Sequence, residues 1–245
     1  MQLLAYTKIN RYRETDDEDF VQLAPTFAIP RALIAAGADV NAAVDGQNML
    51  HMTCKNHSFK RAHFLLENGA GQGVNRVSPK HNTTALMEVY DLALFDALID
   101  GGASVSFVGH KRFTAMSMAI VKRRTDILRR LIAEGVDVNQ MTTWKLSKVK
   151  DAVSYITLAL ASARNVGESH EIVHMLVEAG SDVERESGYR IAPLFLAAQA
   201  HDDTLVKLFL TKVGFLCRYF SFVMIHVNLS SGPSLSSPPA IRINF

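Results

Sequence analysis

Cysteine is nearly absent. Only Cys54 and Cys217 occur in 245 residues. Placed so far apart, they make no disulfide framework, and a reducing compartment, cytoplasm or nucleus, is the expectation. An excess of one charge is missing too. Lys and Arg number 26 against 24 Asp and Glu, a net +2, which implies no nucleic-acid partner by itself. The N-terminal stretch lacks the apolar core of a signal peptide. Met1 to Tyr6 is followed by Lys8, Arg11 and Arg13, then by the acidic run Asp16-Asp17-Glu18-Asp19. Phe215 to Val227 is apolar but carries Arg218 and His226. It is too short to span a bilayer, so no membrane partner is expected. Catalytic signatures are also missing: there is no Gly-x-Ser-x-Gly, no phosphate-cradling glycine loop and no His-Glu-x-x-His. No enzymatic activity, metal or cofactor is expected from this chain.

What is present is a phrase that returns. It reads Leu33-Ile34-Ala35-Ala36-Gly37-Ala38-Asp39-Val40-Asn41, and comes back as Leu65 to Ala70, Leu98 to Ser106, Leu131 to Asn139 and Leu176 to Glu184. The glycines recur at a period of about 33 residues, stretched once between Gly135 and Gly180, and such self-similarity means stacked repeats. Paired apolar residues close a helix on its buried side. The glycine then lets the chain leave left-handed without steric cost. Asp or Asn after it can bond the local backbone in a turn. Gly69-Ala70-Gly71-Gln72-Gly73 reads as the same turn with two residues inserted.

About a dozen residues after each glycine a second phrase recurs. It reads Asn48 to Thr53, Thr84 to Val89, Thr114 to Ala119, Ile156-Thr157-Leu158-Ala159-Leu160-Ala161, and Ala192-Pro193-Leu194-Phe195-Leu196-Ala197. Between the phrases, Arg61–Leu66, Ile127–Ile132, Ile172–Val177 and Leu205–Leu210 place apolar residues at helical spacing and read as second helices. Arg129, Arg130 and Lys207 fit their outer face. Phe113 and Phe195 are expected in the core.

The second phrase resembles the Thr-Pro-Leu-His-x-Ala of ankyrin repeats, with only His51 keeping the histidine and only Pro193 the proline. The resemblance implies an all-α solenoid of stacked helix–turn–helix repeats with protruding fingers. It also implies a Thr cap opening each first helix. The expected organisation is a degenerate N-terminal repeat over 1–46 and about five repeats over 47–82, 83–112, 113–154, 155–190 and 191–213. A non-repeat, partly disordered tail with a Ser/Pro-rich stretch occupies 214–245.

Departures from the period point to function. The unit with Leu86 is short between its helices. Between Asn139 and Ile156 there are extra residues holding the one tryptophan, Trp144. In a solenoid such residues go to loops on one face, often the binding face. Gly167 marks another extended connection. His51, Cys54, His57 and nearby His63 have a zinc-like spacing. His51 and Cys54, however, fall at structural positions of the repeat, and no metal site is assigned.

The loops between units hold a basic pattern. Arg76, Lys80 and His81 lie in one, His110, Lys111 and Arg112 in the next. Lys145, Lys148 and Lys150 follow, then Arg185 and Arg190, against Asp45, Asp151, Glu184 and Glu186. Phe107, Trp144 and Tyr189 stand beside them as aromatic anchors. A row of basic fingers along the concave side favours an acidic partner segment. The resemblance implies a protein-binding module of adaptor, scaffold or inhibitor type. The alternative is a targeting or regulatory array for a catalytic part outside this chain.

Overall fold

The computed structural model describes residues 27–44, 46–79, 82–145, 150–165, 167, 169–188 and 191–213. The segment before residue 27 and the tail 214–245 lie outside them. Two compact units divide between His110 and Lys111.

Unit one contains α1 (Ala28–Ala35), a hairpin of β1 (Ala43–Val44) and β2 (Gln47–Asn48), α2 (Met49–Lys55) and α3 (Phe59–Glu67). After a 3-10 turn over Ala70–Gly73 come α4 (Ala85–Glu88) and α5 (Leu92–Asp100). Unit two contains α6 (Ala115–Val121), α7 (Thr125–Ala133), the hairpin β3 (Thr142–Lys145) and β4 (Lys150–Val153), then α8 (Tyr155–Ala161) and α9 (His170–Glu178). It continues with α10 (Pro193–Gln199) and α11 (Asp203–Val213). A 3-10 turn, His110–Arg112, lies at the division.

Within each unit the helices form two layers. First helices pack on first helices (α2 on α4; α6 on α8 on α10), second helices on second (α3 on α5; α7 on α9). First helices also pack on their own partners, α2 on α3, α6 on α7, α8 on α9 and α10 on α11. Leu50, Ala62, Leu65, Leu86, Leu94 and Leu98 fill unit one. Met116, Ile120, Leu128, Leu131, Ile156, Leu176, Leu205 and Phe209 fill unit two. The short unit is explained by α4, which makes one turn before Val89 turns extended. Phe113 and Phe195, expected in the core, are half-buried. Leu196 and Ala197 take the buried places on α10 instead.

Gly37, Gly69, Gly102, Gly135 and Gly180 all lie in the left-handed region, at φ between 75° and 93°. The turns at Gly37, Gly102, Gly135 and Gly180 are alike, and Gly69 shares their bond from the glycine N–H. The Gly102 N–H bonds Ile99 O and the Ala103 N–H bonds Leu98 O; Gly135 with Val136 and Gly180 with Ser181 repeat the pattern. These 6→1 and 5→2 bonds satisfy carbonyls that a helix end leaves orphaned. Three first helices, α2, α6 and α10, close on the same geometry without glycine. His57, Arg123 and His201 have φ of 55–57°, and the next residue's N–H bonds back to Thr53, Ala119 and Ala197 in turn.

The repeated Asp-x-Asn does two jobs. Asp39, Asp137 and Asp182 accept the N–H two residues on, at 2.9 Å. The asparagines reach to the next repeat. Asn41 Nδ2 donates to Gly69 O at 3.0 Å. Asn75 Nδ2 donates to Gly102 O at 2.8 Å, and its Oδ1 accepts from Ser104 N at 2.7 Å. Asn139 repeats both bonds, to Gly180 O at 3.2 Å and from Asp182 N at 2.7 Å. Asn75 takes this role because the two-residue insertion is wound into the 3-10 turn before it.

First helices open on polar caps. Asn48 accepts from His51 N, Thr114 forms a reciprocal box with Ser117, and Ser154 accepts from Thr157 N. Ser154 corrects the framing of the fourth phrase, which runs Ser154 to Ala159, two residues earlier than expected. The alternation of Ile, Leu and Ala reads equally well in both frames, and the cap decides between them. Tyr155 then fills the place of proline. Its buried hydroxyl lies 2.7 Å from Thr114 Oγ1 and bonds Gln140 Oε1 at 3.4 Å. Burial, with the charge of Asp137, pushes that phenol up to about 12. Cys54 is fully buried, and burial, with the Glu88 charge, pushes its thiol up to about 12.

Three outcomes follow. His201, exposed on its left-handed turn, becomes less strained as glycine, so His201→Gly raises the free energy of unfolding by about 0.5–1 kcal/mol in urea titrations. Asn139→Ala removes two bonds between repeats and lowers it by about 1 kcal/mol. Cys54 and Tyr155 stay protonated in the fold while the unfolded chain ionises near their ordinary values. Stability is therefore full below about pH 9 and falls as pH rises toward 12. In Cys54→Ala that alkaline slope is shallower by on the order of 1.4 kcal/mol per pH unit, measured by urea unfolding at stepped pH.

Candidate finger edge

The connections that leave the helix pairs carry the residues singled out for binding. In unit one, the first hairpin pairs Ala43 with Asn48 and Val44 with Gln47. Its Gln47 side chain donates to Ser78 Oγ on the next finger. That finger is closed by Ser78 N to Thr83 O and Asn82 N to Ser78 O. Arg76 is exposed at its base; Lys80 and His81 lie outside the described residues. Phe107 is half-buried on the following loop and His110 is exposed. Between them Val108 is exposed at 42%. This apolar neighbour was missed, although an isolated valine in a polar loop is a visible signal.

In unit two, Lys111 and Arg112 open the row. Arg112 is exposed, at a left-handed φ of 58°, and its carbonyl accepts from Thr142 Oγ1 at 3.0 Å. The extra residues between Asn139 and Ile156, expected as a loop, form an antiparallel hairpin. Thr142 pairs with Val153, Thr143 with Ala152, Trp144 with Asp151 and Lys145 with Lys150. Its strands are rich in β-branched and aromatic residues (Thr142, Thr143, Trp144, Val153) and carry no Asn-Gly turn to announce them. On its far side Ala152 O accepts from Gly188 N at 2.9 Å, and Ser187 N bonds Ile191 O at 3.0 Å to close the third finger. Arg185 is exposed on it. Lys148, Tyr189 and Arg190 lie outside the described residues. The structure thus joins the fingers bearing Arg112, Trp144, Lys145 and Arg185 into one hydrogen-bonded row. The ion pairs Arg124–Asp126 at 3.0 Å and Arg129–Glu171 at 3.7 Å sit on the second helices instead. Arg124's hydrogen bond holds the Asp126 carboxyl below its ordinary range.

The zinc-like spacing does not become a donor set. His51 and Cys54 are buried within α2. His57 meets the Tyr90 ring edge-on with centroids 4.4 Å apart, and His63 is half-buried on α3. Among the described residues no three His, Cys, Asp or Glu side chains gather to hold a metal ion. Also among the described residues, no helix is long and apolar enough to cross a membrane.

No family model matches the chain, and no curated protein matches it. Among solved structures it is similar to an ankyrin repeat domain from Acinetobacter baumannii AYE, with a TM-score of 0.64 and 21% identity. The alignment covers 75% of this chain and 90% of that one. Recurring left-handed glycine turns, capped helix pairs in two layers within each unit and fingers between them agree with that likeness. The chain has the all-α ankyrin-repeat fold.

Proposed function

We propose that the chain is a protein-binding repeat module, of adaptor, scaffold or inhibitor type, that holds an acidic segment of its partner along its fingers and performs no chemistry itself. The observation that carries this is the bonded finger row of unit two. Rigid helix pairs hold fingers that carry Lys111, Arg112, Lys145, Lys150 and Arg185, with Asp151, Glu184 and Glu186 as the acidic residues among them. A basic row on a rigid frame raises the encounter rate with an acidic segment and selects against basic ones. Trp144 and Tyr189, with Phe107 on its own finger, are the aromatic residues assigned as anchors. Arg76, Lys80, His110, Lys148 and Arg190 complete the proposed set. The proposed repeats run as given above, except that the repeat of α8 opens no later than its cap Ser154, and the proposed location is cytoplasmic or nuclear.

The test is affinity capture from cell lysate with the full chain, beside a variant with Lys111, Arg112, Lys145, Lys148, Arg185 and Arg190 reversed to glutamate. The expected outcome is that captured proteins are lost on reversal and that capture by the parent chain weakens as salt is raised. Survival of every captured protein in the reversed variant would contradict the basic-finger reading.

A further inference from the structure

The β3–β4 hairpin is longer than its neighbours' fingers, and its two outer edges are not equivalent. Ala152 turns its carbonyl outward to Gly188 at 2.9 Å, so the Thr143–Ala152 pair is one of the wide pairs whose main-chain groups face away from the partner strand. By the same alternation, Thr143 and Lys145 turn their N–H and C=O toward the outer edge of β3. Among the described residues, the finger before β3 reaches it through the Thr142 hydroxyl, at the strand's root. The β4 edge is taken at Ala152, while among the described residues of unit two no main-chain group bonds Thr143 or Lys145 on the outer edge of β3. The register also sets Lys145 directly opposite Lys150, and like charges in register destabilise a strand pair. Lysine at an open edge disfavours pairing with a second copy of the same strand. Carboxylates brought to the same place relieve the repulsion.

We infer that the outer edge of β3, Thr142–Lys145, takes an extended acidic peptide as an added strand, the outward-facing main-chain groups of Thr143 and Lys145 pairing with its backbone while its carboxylates lie against Lys145 and Lys150. This rests on the protein-binding reading above and specifies its mode: strand addition, in which backbone bonds supply affinity and side chains supply selection. The occupant is a segment of a partner protein with acidic residues at alternate positions, because successive residues of a strand point to opposite faces.

The test uses the full chain and a synthetic heptapeptide alternating glutamate with valine and threonine. Controls are the same peptide N-methylated at alternate residues, and one with glutamine for glutamate. Binding is followed by fluorescence anisotropy at low salt, and amide exchange is read residue by residue. The glutamate peptide is expected to bind, and to slow exchange at Thr143 and Lys145 at least tenfold. Both control peptides are expected to bind at least tenfold more weakly. Thr143→Pro, which removes one edge N–H, is expected to weaken binding by the same factor, with exchange at Trp144 and Val153 showing that the hairpin persists. Equal binding of the N-methylated peptide would overturn strand addition while leaving a charge-driven finger surface intact. Failure of the glutamate peptide to bind would overturn it as well, as would sedimentation showing a dimer that Thr143→Pro dissolves. The broader protein-binding reading fails by a separate sign, the survival of lysate capture after charge reversal.

Discussion

No helix pair in this chain can hide its apolar side alone. The helices of unit two run from 7 to 11 residues, too short to persist in water on their own propensity. Each exposes one layer to the pair before it and one to the pair after. Ile156, Leu158 and Ala159 on α8 are wholly buried, and α8 reaches that state by packing on α6, α9 and α10 together. Stability in such a stack is a sum of weak repeats and strong junctions. The asparagine bonds belong to the same arrangement. They run across the junctions, from one turn to the next repeat's glycine carbonyl, and so set the spacing at which the apolar layers meet.

That constraint explains what the sequence made legible. A glycine at φ near 85° is a steric necessity, so Gly37, Gly102, Gly135 and Gly180 could be read off as equivalent turns before any fold was known. The second helices were equally plain, because an apolar stripe at helical spacing has one reading. Less could be seen where the deciding fact was not local. His57, Arg123 and His201 occupy left-handed turns with side chains that give no sign of it. The polar cap Ser154 fixed a frame that apolar alternation left ambiguous. Asn41 and Asn139 were expected to bond near themselves, and they reach to the following repeat. Phe195 was read as core from its hydrophobicity, whereas its place on α10 leaves it half-buried.

The fingers were legible as places and not as structures. Extra residues around Trp144 marked the right connection, but a strand is defined by its neighbour, and the neighbours of β3 and β4 come from distant turns. Arg112 and Gly188 supply them. The fingers bearing Arg112, Lys145 and Arg185 therefore form a braced row and not independent loops, which is what the proposed recognition draws on. Less conformational freedom is lost on binding from such a row, which is where pre-organised surfaces gain affinity.

Mutual support between repeats is tested most directly by residue-resolved amide exchange on full-length Ile156→Ala. The substitution deletes buried atoms from α8 alone, at a cost of about 2–5 kcal/mol. Dependence on neighbours predicts that protection falls in α6, α7, α10 and α11 as well as in α8 and α9. Loss confined to α8 and α9, with the flanking pairs as protected as before, would show that each pair stands by itself and would contradict the account.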